Sequence, residues 1–207
     1  MTESASRSAS KQELLERYLR AMPPPTVSGA RTIPRRDPGC RVPLTFGQEV
    51  LWLHEQLAPG LPTYNEPVTV HRTGVLDVGA LERSLNEIVR RHEAWRTTFS
   101  VVDGQPIQVI HEPFTVHLPV VDLRGLPEDR REAEAVRISS EDSQPPFDLE
   151  AGPLFRLLLA HMSDTQHRLL ITAHHIISDG VSNCILLSEL AALYDAFGAG
   201  QPSPLPE

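Results

Sequence analysis

Lysine is all but missing from this chain: Lys11 stands alone, so its basic charge is nearly all arginine. Basic charge of either kind is also outnumbered. With 19 Lys and Arg against 27 Asp and Glu the net charge is −8, the reverse of the basic face that nucleic-acid binding needs. Cysteine is scarce as well. Cys40 and Cys184 are the only two, one in a tail and one in an apolar helical pattern, which argues against a disulfide framework or a zinc cage. Cys184 is expected in a helix core. No uninterrupted apolar run reaches membrane-spanning length, and residues 1–10 are polar, without the apolar centre of a secretory signal. These absences together predict a cytoplasmic protein with neither membrane nor nucleic acid as a partner.

What is present is ordinary for a globular domain: 207 residues, 40% hydrophobic and 22% charged, enough for one domain with a core and a tail. Nine of the 19 prolines cluster near the two ends, in residues 23–43 and 202–206. Residues 1–42 carry eight basic and four acidic side chains, a net of +4, leaving −12 for the remainder. Ser10, Lys11, Gln12 and Glu13 form a capping box that opens an amphipathic pattern of Leu14, Leu15, Tyr18 and Leu19, stopped by Pro23, Pro24 and Pro25. Residues 22–43 read as an extended linker. The tail is either a frayed terminus or a helix that docks a partner.

From Pro43 the pattern is that of a mixed α/β domain, spanning 43–200. Thr45 caps a helix to about Leu57, with Phe46, Val50, Leu53 and Leu57 on one stripe. Residues 68–75 alternate as a strand. Asp77 caps a helix to about His92, with Leu81, Leu85, Ile88 and Val89 inward. Residues 96–102 and 105–110 flank Asp103-Gly104, a type I′ hairpin signal. Residues 116–121 read as a strand and 128–143 as a polar surface helix. A second hairpin, 154–160 with 167–173, turns around residues 163–166. A last helix, 182–197, carries Leu186, Leu190, Leu193 and Phe197 as its apolar stripe. Residues 201–207 read as the start of a further linker.

One stretch concentrates chemistry. Leu169, Leu170, Ile171, Thr172 and Ala173 form an apolar strand that ends in His174-His175-Ile176-Ile177-Ser178-Asp179-Gly180. Strand side chains alternate faces, so one imidazole lines a pocket while the other packs inward. Two histidines and a carboxylate at the mouth of a buried strand need partners. A shared metal ion on His174, His175 and Asp179 is disfavoured because adjacent strand residues diverge. Arg91-His92-Glu93 begins like a zincin helix, but Arg96 stands where the second histidine belongs. Ser178 sits too tightly in the turn for a relay, and no Gly-x-Ser-x-Gly elbow is present. General-base or proton-positioning work by an imidazole remains.

The turn resembles the His-His-x-x-x-Asp-Gly motif of nonribosomal peptide synthetase condensation domains, members of the chloramphenicol-acetyltransferase-like superfamily. Other segments resemble that family in the expected order. Thr45-Phe46-Gly47-Gln48-Glu49-Val50-Leu51-Trp52 is similar to its first motif, with Thr45 for Ser and Val50 for Arg. Tyr64-Asn65-Glu66-Pro67 follows. Arg91-His92-Glu93-Ala94-Trp95-Arg96-Thr97-Thr98-Phe99 is similar to the second motif, and Pro146-Phe147-Asp148-Leu149 with Gly152-Pro153-Leu154 also fits.

The resemblance implies the N-terminal lobe of such a domain, an α/β two-layer sandwich with a mixed sheet and flanking helices. It implies amide formation between a donor acyl thioester and an acceptor aminoacyl thioester, both carried on phosphopantetheine arms of carrier proteins, with no cofactor bound directly. In that scheme His175 orients or deprotonates the attacking amine, and a backbone amide at Gly180 meets the developing oxyanion. His174 packs inward, and Asp179 is structural and held by an arginine, for which Arg96 is the candidate. Condensation domains have two lobes, so a catalytic site requires the C-terminal lobe, and residues 1–42 would contact an upstream synthetase subunit. A non-catalytic module that docks carriers or subunits is the alternative, as is a related epimerising or ester-forming domain.

Overall fold

The computed structural model describes residues 36–37 and 40–206; the amphipathic segment expected within the tail lies outside them. The chain divides into Met1–Cys40 and Arg41–Glu207, and the second unit holds all the elements that follow.

Strand β7 (Gln166–His174) is the axis of the larger sheet. It pairs antiparallel with β6 (Phe155–His161) on one side and with β2 (Asn65–Thr73) on the other. The short β5 (Val120–Asp122) adds parallel to β6, giving the order β2-β7-β6-β5 and making the sheet mixed. A second sheet joins β1 (Val42–Pro43), β4 (Gln105–Ile110) and β3 (Thr97–Val102). Its hairpin turns where Asp103 and Gly104 both have positive φ, 53° and 74°, as a type I′ turn requires.

Four helices complete the unit: α1 (Phe46–Leu57), α2 (Val78–Arg91), α3 (Glu128–Ser143) and α4 (Gly180–Gly198). Three begin on a side-chain cap. Thr45 and Gln48 close a reciprocal capping box on α1, Asp77 caps α2, and Asp179 caps α4. Alternation along β7 then decides what each helix covers. Leu169, Ile171 and Ala173 face one way and join Leu81, Leu85, Ile88 and Val89 of α2 and Leu186, Leu190 and Leu193 of α4 in the main core. Residues of opposite parity meet α3: Thr172 donates to Asp142 Oδ2 at 2.6 Å, and Arg168 pairs with Glu132. The α/β class and the mixed sheet with flanking helices are as the sequence predicts.

Several local expectations change. Strand β2 begins at Asn65, three residues before the alternation at 68, because Asn65, Glu66 and Pro67 stay in register with His174, Ala173 and Thr172. The strand expected at 116–121 shrinks to β5. Its first part is drawn to α2 instead: Val116 N–H donates to Asn86 Oδ1 at 2.7 Å, and Leu118 N–H donates to Glu82 Oε2 at 2.8 Å. The stripe on α1 faces outward, with Phe46 82% and Leu57 77% exposed; the helix leans on Leu51 and Trp52 instead. Cys184 is exposed, since it lies about 200° around α4 from Leu186.

Ile171 is 1% exposed, on the middle strand and in contact with the core between α2 and α4. Ile171→Ala is expected to lower unfolding stability by about 2–5 kcal/mol, read as a lower denaturant midpoint at unchanged slope.

Candidate functional site

His174, the last residue of β7, and His175, the next residue, turn to opposite faces. His174 is 3% exposed and sits edge-on to the rings of Tyr64 and Phe147. Its Nδ1 accepts the Ile176 N–H at 3.0 Å, while the Ile177 N–H donates to the His174 carbonyl at 3.0 Å. One residue thus closes the turn with both ring and backbone. Because Nδ1 is an acceptor, the neutral ring carries its proton on Nε2. Burial, helped by the neighbouring His175, pushes this imidazole down to about 4.

His175 turns the other way, and its side chain is 40% exposed. Its backbone N–H is held by the Tyr64 carbonyl at 2.8 Å, which extends the β2–β7 pairing one step past the strand end. The ring lines a cleft of about 550 Å³ together with Gln48, Val50 and Leu51 of α1 and Asp179 and Ser182 at the start of α4. Gln48 ties the near wall in place, donating to the Ile176 carbonyl at 3.3 Å. Ring nitrogen Nδ1 lies 2.8 Å from Glu66 Oε1.

Asp179 works as a helix cap. Its Oδ1 accepts the Ser182 N–H and the Ser182 hydroxyl, each at 2.7 Å, and these bonds hold the carboxyl below its ordinary range. The arginine brace expected from Arg96 is not formed. Arg96 donates through Nη1 to the His111 carbonyl and lies 3.7 Å from Glu93, because the turn Glu93–Arg96 aims it at the start of the small sheet. Val50 lines the cleft. Gly180 opens α4 with an ordinary φ, and a Cβ built there meets nothing within 4 Å. No contact among the described residues therefore requires glycine at that point. The first N–H groups of a helix have no acceptor within it, and their positive end sits beside the cleft.

Among the described residues no group of His, Cys, Asp and Glu is arranged to hold a metal ion, and no helix is long and apolar enough to cross a membrane. Sequence reasoning gave Glu66 no role. Its signal was a carboxylate within the Tyr64-Asn65-Glu66-Pro67 segment, just ahead of the strand expected at 68–75.

Comparison with known proteins decides the family. The Condensation domain family matches residues 40–207. The chain belongs to the Condensation domain family. Among its curated relatives, phosphinothricin tripeptide synthetase PhsB of Streptomyces viridochromogenes is 41% identical over 182 residues, covering 88% of this chain and 15% of that protein. Chondramide synthase cmdD of Chondromyces crocatus is 44% identical over 177 residues, covering 86% of this chain and 4% of that one. The solved starter condensation domain of rhizomide synthetase RzmA superposes with a TM-score of 0.75 at 27% identity, over 81% of this chain and 40% of that chain. The first condensation domain of the calcium-dependent antibiotic synthetase, solved with a substrate analogue, gives 0.75 at 29% over the same shares. This condensation-family chain thus spans about two-fifths of the solved domains it resembles.

Two outcomes test the site. An unfolded chain protonates a histidine near 6.5, whereas folded His174 resists until about 4. Its contribution to stability is therefore complete above pH 6.5 and is lost as pH falls towards 4, by about 3 kcal/mol in all. His167, buried and also shifted down, acts in the same direction, so the difference between wild type and His174→Asn isolates His174. The variant's denaturant midpoint is expected to fall less steeply through that window. For the cap, Asp179→Ala should lower the melting temperature and Asp179→Asn should nearly restore it, while Arg96→Ala leaves the Asp179 contacts intact.

Proposed function

We propose that this chain forms the half of a condensation domain that carries the histidine motif, and that it joins a donor acyl thioester to an acceptor amine as an amide. The carrying observation is the cleft in which the half-open ring of His175 stands beside the N-terminus of α4. The acceptor amine attacks the donor thioester carbonyl; a C–N bond forms, the C–S bond breaks, and the amine proton passes through His175 to the departing sulfur. A backbone N–H at Gly180 faces the oxyanion of the tetrahedral intermediate, and the missing side chain leaves room for the thioester. Both substrates ride on phosphopantetheine arms of donor and acceptor carrier proteins in the cytoplasm, and the chain itself binds no cofactor.

The remainder of the domain is the second partner. Phe46, Leu53 and Leu57 on α1 and Val181 and Ile185 on α4 are apolar and exposed, on the same two elements that wall the cleft. A single-lobe cleft open on that side neither excludes water nor encloses two thioester arms, so the lobe alone is expected to be inactive. Residues 1–42, with their net positive charge, are proposed to contact an upstream synthetase subunit.

The test mixes the chain with donor- and acceptor-loaded carrier proteins, with and without a separately produced C-terminal lobe, and follows the amide product by mass spectrometry. Product is expected only with both lobes and is expected to fall by about 10²–10⁴-fold in His175→Ala. Carrier binding without product in either mixture contradicts the proposal and favours a docking module.

A further inference from the structure

The contact between Glu66 and His175 has no part in the chemistry described so far. Glu66 is the second residue of β2, opposite Ala173. It therefore shares a sheet face with His175, two residues further along the β7 direction. Its Oε1 approaches His175 Nδ1 to 2.8 Å. Glu66 Oε2 and His175 Nδ1 are both sealed from solvent, and neither has an aligned hydrogen bond among the described residues. A ring lone pair and a carboxylate oxygen repel at that distance, so the contact needs a proton between them, and the imidazole, the stronger base of the two, carries it on Nδ1. Since Nδ1 is sealed while 40% of the side chain is open, the open edge of the ring is the one carrying Nε2.

We propose that Glu66 is a positioning residue for His175: it holds the imidazole as its Nδ1–H tautomer and presents the Nε2 lone pair to the cleft. The proposal rests on the condensation reading for what Nε2 then does, which is to accept the proton of the attacking amine and return it to the leaving sulfur. The proton on Nδ1 stays with the pair throughout. Glu66 also offsets the positive charge that the ring gains in between, as a carboxylate behind an imidazole does in hydrolytic triads. The other titratable groups near the ring do not compete for this task. Asp179 is engaged by Ser182, His174 is buried on the opposite face of the strand, and the cleft-lining residues of α1 are uncharged.

The experiment has two arms. In the first, the full 207-residue chain is labelled with 15N-histidine, and two-bond nitrogen–proton correlation spectra above the imidazole titration range show which nitrogen of His175 is protonated. Wild type is expected to carry the proton on Nδ1, and Glu66→Leu is expected to move it largely to Nε2, with Glu66→Asp closer to wild type. If Glu66→Leu does not fold, Glu66→Gln provides the comparison, with a partial shift expected. An Nε2–H tautomer in wild type, or an unchanged tautomer in the variant, overturns the proposal. In the second arm, the two-lobe assay with loaded carriers is expected to show kcat lowered about 10- to 100-fold in Glu66→Leu, within the contribution of a general base. KM should change less than about 2-fold, and Glu66→Asp should recover part of kcat. In a His175→Ala background Glu66→Leu is expected to cost nothing further, because a positioning residue acts only through the group it positions. An additional loss there contradicts the assignment. If wild type makes no amide at all, the condensation reading fails while the tautomer spectra still decide the role of Glu66.

Discussion

Over its whole length from Gln166 to His174, strand β7 has a hydrogen-bonded neighbour on each side, and its side chains have no choice of face. A slip of one residue against β2 would turn Leu169, Ile171 and Ala173 out of the core that they form with α2 and α4. It would also bury His175 and expose His174. The hydrophobic term that fixes the register is therefore the same term that selects which imidazole meets the cleft. The chemistry at the strand end inherits its precision from the packing of three apolar side chains several residues earlier.

Beyond the strand, polar groups take over from packing. Two bonds at His174, ring to Ile176 and carbonyl to Ile177, force the chain to turn. The turn delivers Asp179 as the cap of α4, which places a helix N-terminus beside His175 instead of a free loop. Gln48 reaches from α1 to the same turn, joining the cleft's walls. Each link is modest in net free energy, but each satisfies a group that would otherwise sit unpaired near a buried edge. The His175 imidazole is held by this arrangement without an arginine brace on Asp179 from Arg96.

How much of this could be read in the residues depended on whether the governing interaction was local. The helix at 128–143 was legible to the residue, as was the turn at Asp103-Gly104, where only a few residue types tolerate two positive φ angles. The family was legible because its motifs are short and contiguous. Non-local pairings were not. Val116 and Leu118 have strand character, yet their N–H groups go to Asn86 and Glu82 on α2. The apolar stripe of α1 is a genuine helical pattern, but period alone cannot say whether a partner within the chain covers it. Asp179 and Arg96 have complementary charge and still go separate ways, because capping satisfies the carboxylate within three residues. Glu66 was invisible for the same reason: its importance arises from a register with a strand about a hundred residues away.

Everything at the site follows from the opposed placement of two adjacent rings, and chemical modification of the folded chain reads that placement most directly. Diethylpyrocarbonate acylates accessible neutral imidazoles, and fragment-ion mass spectrometry separates His174 from His175. His175 is expected to react at a rate comparable to exposed histidines, while His174 stays protected until the chain unfolds. Equal rates at the two positions, or faster modification of His174, would contradict that placement.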